Sequence, residues 1–262
     1  MQMTSRRYHF DLIATALHAL TVIVACVTAE FRKTFTGQCL LCMEIVAFFF
    51  HLWYIRTKAG IGNPGVPRKA KWYEYGISAT LGTIAVLHSP DRDPNLEWII
   101  LFFFIGNAQQ LIGLQIDKSE FTEIWPAFIA GTLIQLGEYA FVGLISGVSV
   151  LYAIYVGFYA LFGIHAFLRL KRLEENVGSD DDYTEEIYSF YGFIAKLAVF
   201  YADYLSIVGV SDSVISGIAA VVFVITVGYA HATYPVSTKY ISHITPPSSD
   251  HLEYERSYAL RL

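Results

Sequence analysis

Eight mainly apolar runs, each close to the length of a membrane crossing, leave few folds open to this chain. A helix needs roughly 20 such residues to cross the hydrocarbon core. The runs lie at 8–29, 37–55, 70–89, 97–117, 122–146, 148–170, 185–208 and 212–234. Charged residues make up only 16% of the 262 residues, against about 25% in soluble domains. That deficit is what lipid-facing helices produce, and the expected fold is an all-α membrane bundle without an internal repeat.

The breaks between runs have suitable chemistry. Residues 56–71 hold Gly60, Gly62, Pro64, Gly65 and Pro67 among five Lys and Arg, and 89–95 read Ser-Pro-Asp-Arg-Asp-Pro-Asn. Residues 172–184 are acidic and polar, with Asp180, Asp181 and Asp182. Ser146-Gly147 predicts a tight hairpin. The tail from Pro235 is polar and is expected to be loosely ordered.

Positive charge predicts the orientation, because cytoplasmic loops are enriched in Lys and Arg. With the N-terminus inside, the cytoplasmic side carries 14 cations: Arg6, Arg7, Arg56, Lys58, Arg68, Lys69, Lys71, Lys118, Arg169, Lys171, Arg172, Lys239, Arg256 and Arg261. The other side carries three, Arg32, Lys33 and Arg92. Both termini are therefore expected in the cytoplasm. The net charge of −5 and the absence of a basic tail argue against a nucleic-acid partner. No cleavable signal peptide is expected, since the first run lacks a small-x-small site. Cys26, Cys39 and Cys42 are too few for a metal site and are expected to be small buried packing residues. No catalytic set is read, and an enzyme is not expected.

The eighteenth cation, Lys196, lies inside the seventh run, ten residues past Glu186. At 1.5 Å per residue this is about 15 Å deep, near the bilayer midplane. A lysine there costs several kcal/mol, so it calls for a partner or a modification. Desolvation favours the neutral amine, which can condense with an aldehyde. A protonated Schiff base would restore the charge and require a carboxylate. Glu74, in Lys71-Trp72-Tyr73-Glu74-Tyr75-Gly76-Ile77-Ser78, is the best candidate, and Ser78, one turn later, could hydrogen-bond it. A purely structural Lys–Glu pair between helices is the alternative.

The seventh run, with Glu186, Tyr188 and Ala195-Lys196, resembles the retinal-lysine helix of heliorhodopsins. The third run, an aromatic followed by Glu74-Tyr75 and Ser78-Ala79, resembles that family's counterion helix. Arg7-Tyr8-His9-Phe10-Asp11-Leu12-Ile13 leading to Leu17-His18 resembles its opening helix, and Tyr155, Phe158, Tyr159 and Phe162 its aromatic sixth helix. The resemblance spans residues 6–208. It implies a seven-helix retinal-binding bundle over 1–210, with all-trans retinal linked to Lys196 and an inverted topology like the one the charges predict. Residues 211–234 would add an eighth transmembrane helix, and 235–262 a polar cytoplasmic tail.

Three features depart from the family. Gly192 stands one turn before the lysine where serine is usual. The link at 30–36 is short where the family often has a long loop supporting dimerisation, so a homodimer, which stays a candidate partner state, is not expected to form through that loop. The helix at 212–234 is additional.

A polyene needs a long apolar slot walled by flat side chains. Trp125, Pro126, Phe128, Tyr155, Phe158, Tyr159 and Phe162 are candidates, and each also suits ordinary packing. Asn107, Gln109 and Gln110 read as polar glue between helices. His18, Glu44, His51, Glu138, His165 and Asp203 lie within spans, where an ionisable group is a functional candidate. Glu44 shares a face with His51, and His18 and His51 could hold a proton or water network near Glu74. Glu138 and Asp203 are expected nearer helix ends or cavities. Ala85 and Gly192 occupy positions where outward rhodopsin pumps carry carboxylates, which argues against active pumping. The leading expectation is a light sensor with membrane lipid and an unidentified partner around it. The alternatives are a light-gated passive proton conductor, through Glu44, Glu138 and Asp203, and a non-retinal transporter or scaffold.

Overall fold

The computed structural model describes residues 2–58, 66–89, 93–116, 121–174 and 181–233. The tail 235–262, Lys118 and most of the 59–71 link's charged side chains lie outside what is described, as do the side chains of Arg6, Arg7 and Glu186. Among the described residues there are helices and no strands.

Eight long helices form where the apolar runs predict them. They are α1 (Gln2–Val27), α3 (Phe35–Lys58), α4 (Val66–Leu87), α5 (Leu96–Ile116), α6 (Phe121–Ser146), α7 (Val150–Glu174), α8 (Asp181–Ile207) and α9 (Asp212–Thr233). A five-residue helix, α2 (Ala29–Lys33), fills the short first link and was not anticipated. It is too short to show a 20-residue signal, and it is held by Phe31, which is fully buried against Phe200 and Tyr204.

Seven of these helices are long and apolar enough to cross a membrane: α1, α3, α5, α6, α7, α8 and α9. The protein is a multi-pass α-helical membrane protein. Its outer surface is apolar, with Ile100, Phe104, Leu133, Leu144 and Val224 exposed. Such a surface would be a liability in water and matches a lipid environment. The eighth long helix, α4, is less apolar because its polar side chains face inward. Glu74, Ser78, Thr80 and Thr83 on it are all buried, and it packs between α3 and α5.

The Ser146-Gly147 turn forms where the sequence predicts it, and a second glycine turn follows α8. Gly147 has φ +76° between α6 and α7, and Gly209 has φ +87° between α8 and α9. Glycine reaches this left-handed region without the Cβ clash that other residues meet. The last helix, α9, packs against α7 and α8, where Phe223 meets Phe158 edge-on with centroids 5.4 Å apart. Of the cysteines, all reduced, only Cys39 is buried; Cys26 and Cys42 lie on the outer, lipid-facing surface. The expectation of three buried cysteines is corrected, because a thiol is apolar enough to face lipid as readily as a core.

Candidate functional site

Lys196 is the sixteenth residue of the 27-residue α8, midway along it. The residue is 1% exposed, and Nζ is ion-paired with Glu74 Oε1 on α4, itself 2% exposed. A charge this deep is tolerated only with its opposite beside it. The other Glu74 oxygen, Oε2, accepts a hydrogen bond of 2.9 Å from Tyr54 on α3. Ser78 was expected in that role. It is fully buried, but its Oγ has no hydrogen-bond partner. Tyr54 comes from another helix, so no spacing within the third run could have revealed it.

Tyr75, next to the counterion, covers the lysine: Nζ lies 5.1 Å from the ring centroid. The Tyr75 hydroxyl donates to the Tyr188 backbone carbonyl at 3.1 Å. This contact explains Gly192. A Cβ at that position would sit 2.8 Å from the Tyr75 oxygen. The glycine leaves room for the tyrosine, whose ring lies beside the lysine.

The lysine opens onto a cavity of about 380 Å³ between α4, α5, α6, α7 and α8, within the usual size range of small-molecule sites, about 300–1,000 Å³. Of the aromatics expected to wall a slot, Phe128, Tyr155, Tyr159 and Phe162 line it. Trp72, Tyr75, Tyr139 and Tyr188 line it as well and were not anticipated as walls. Trp125 and Phe158 are not among the lining residues. Trp125 packs on Phe128 and Phe167, and Phe158 packs on α9. Helical period places an aromatic on a face but cannot say whether that face meets a cavity or another helix. Gln109, also at the cavity, donates to Gln135 across α5 and α6 at 2.5 Å, the polar tie between helices expected of it.

No family model, no curated protein and no solved structure matches the chain.

A polar cluster lies toward α1 and α3. His18 Nδ1 is 2.5 Å from Glu44 Oε2, and both residues are fully buried. The His18 ring stacks on His51 with centroids 5.2 Å apart, and His51 Nδ1 is 3.1 Å from Asp11 Oδ1. The cluster is thus carboxylate, imidazole, imidazole, carboxylate. The sequence indicated Glu44, His18 and His51, but not Asp11 as their partner. Asp11 stands seven residues before His18, and that heptad spacing was the available signal. Glu138 reaches the cavity wall from α6. Asp203 is buried on α8, two turns beyond Lys196. His165 packs edge-on against Tyr188 and Tyr191.

The geometry provides a buried amine, a carboxylate held against it, and an aromatic slot at its tip. A flat, largely apolar molecule could lie against those rings, and the amine suits an aldehyde on that molecule. The residues present therefore fit retinal.

Proposed function

We propose that this chain is a light-absorbing retinal photoreceptor of the heliorhodopsin type, acting as a sensor rather than a pump. The observation that carries the reading is the Lys196–Glu74 pair, sealed inside the bundle and facing a cavity lined by aromatic side chains. A structural ion pair would need no such cavity, and burying one for stability alone gains little.

Retinal, when bound, supplies visible absorption and the bond rotation that follows it. Lys196 would hold it covalently, as a protonated Schiff base. Glu74 balances the positive charge, and Tyr54 keeps the carboxylate oriented. Tyr75, Tyr159 and Phe162 line the cavity and would flank its occupant. In this reading α4 crosses the membrane with the seven more apolar helices, both termini are cytoplasmic, and membrane lipid surrounds the bundle. Ala85 is fully buried and Gly192 is filled against by Tyr75. Neither position offers the second carboxylate that would reload a pumped proton.

Purified protein given all-trans retinal should develop a visible band that survives washing, and Lys196→Ala should lack it. A washed, stable band in Lys196→Ala would overturn the assignment. A second reading, passive proton conduction in the light, is favoured by the Asp11–His51 and His18–Glu44 pairs, which place proton-exchanging groups in series beside Glu74. Voltage-clamp recording under illumination separates the two.

A further inference from the structure

The cavity has a second polar feature on the wall formed by α4, α6 and α7. Glu138 is 5% exposed. Its Oε1 lies 2.6 Å from Thr83 Oγ1 and 2.8 Å from the Tyr155 hydroxyl. Thr83 Oγ1 and the Tyr155 hydroxyl are themselves 2.8 Å apart. Three oxygens, one from each helix, therefore form a closed triangle with a hydrogen-bond distance on every side. All three residues line the cavity that holds Lys196.

Proton counting decides the state of this triangle. Thr83 and Tyr155 bring one hydroxyl proton each. If Glu138 were ionised, two protons would have to fill three sides, and one pair of oxygens would face each other with lone pairs only. Thr83 also has the Ala79 carbonyl at 3.1 Å, which competes for its single proton. A proton on Glu138 Oε1 completes the triangle, each oxygen donating once and accepting once. The second carboxyl oxygen agrees with this. Oε2 is buried with no hydrogen-bond partner, a large penalty for a charged oxygen and a smaller one for the carbonyl of a neutral acid. Among the described residues lining the cavity, Lys196 is the only cation, and it is already paired with Glu74. Thr83 stands nine residues beyond Glu74, about 13 Å along α4.

We propose that Glu138, Thr83 and Tyr155 form a neutral, proton-bearing latch, through which motion of the cavity's occupant is passed to α6 and α7. This rests on the retinal reading. The Tyr155 ring forms part of the slot and lies against Tyr159, with centroids 4.9 Å apart. A polyene that changes shape in the slot displaces Tyr155 and thereby breaks a side of the triangle. The proton stays on Glu138; only its hydrogen bond changes. The latch ties together the three helices whose relative movement a sensor could report.

Light-minus-dark infrared spectra of the pigment, recorded in H₂O and D₂O, test this. Wild type should show a paired change in the carbonyl stretch of a protonated carboxylic acid, shifted by deuteration, and the Glu138→Gln pigment should lack it. A coloured wild type without that pair, or a pair retained in Glu138→Gln, would overturn the latch and leave the retinal reading standing. Failure of wild type to colour would remove the retinal reading instead. A measurement independent of colour is the unfolding temperature of the apoprotein in detergent. Glu138→Gln should leave it near the wild-type value, because an amide replaces a neutral acid. A clear rise would mean that a buried charge had been removed, and the neutral latch would be wrong.

Discussion

Lys196 and Glu74 are ion-paired and both buried. Removing one member of a buried pair strands the other, at a cost on the order of 3–5 kcal/mol. Glu74→Gln should therefore destabilise the apoprotein by about that amount in denaturant unfolding. In the pigment, it should enlarge the short-wavelength, unprotonated form at neutral pH and move the remaining visible band to the red. A spectrum unchanged from wild type would mean that another acid balances the charge. Tyr54→Phe removes the bond to Glu74 Oε2 and keeps the ring. It should cost roughly 1.5–3 kcal/mol, as for hydrogen bonds to charged groups, and shift the band in the same direction by less. Equal effects from Tyr54→Phe and Ser78→Ala would contradict the assignment of Tyr54 as the partner.

At the scale of the elements, α4 and α8 approach closely because Gly192 has no side chain. Gly192→Ser puts a Cβ into the Tyr75 hydroxyl. Overpacking of this kind costs about 1–3 kcal/mol, and here it should also break the Tyr75–Tyr188 hydrogen bond. The expected outcome is a less stable protein with a displaced absorption band, even though serine is the family's usual residue at this place. Restoration of stability by Gly192→Ser combined with Tyr75→Phe would locate the strain at the hydroxyl. The α6–α7 turn gives an independent check. Gly147→Ala should destabilise by about 1 kcal/mol, because φ is +76° there and a Cβ is disfavoured in that region. Colour should be unaffected.

For the whole molecule, the expectation is a bundle that absorbs light without pumping. Under voltage clamp no current should remain outward at every voltage against the proton gradient; such a current would overturn the no-pump reading. If light opens a passive path, the current should reverse near the proton equilibrium potential. Glu44→Gln or Asp11→Asn should then abolish it with colour retained, since these carboxylates bracket the two histidines. Asp203→Asn, on α8, should have the smaller effect. Tags at both termini should be protected in unpermeabilised cells. An accessible C-terminal tag with a protected N-terminal one would mean that α9 does not cross.

Length and hydrophobicity of the runs were enough to place eight long helices, seven of them long and apolar enough to cross a membrane, because a crossing is a local demand that about 20 residues must meet together. They were also enough to single out Lys196, because a lone cation among apolar residues is conspicuous in one dimension. Glu74 was one acid among several within the runs, with Glu44, Glu138 and Asp203, and was favoured by its place on the third run with Ser78 one turn later. What surrounds the pair was decided only when helices distant in sequence came together. Tyr54 rather than Ser78 meets Glu74, Asp11 meets His51, and Tyr155 and Thr83 close on Glu138. Each of these is a contact between helices, set by how they rotate and pack, and no periodicity within one helix encodes which neighbour its face will meet. The same holds for the aromatics. Tyr155 and Phe158 lie one turn apart on α7, yet one walls the cavity and the other packs on α9.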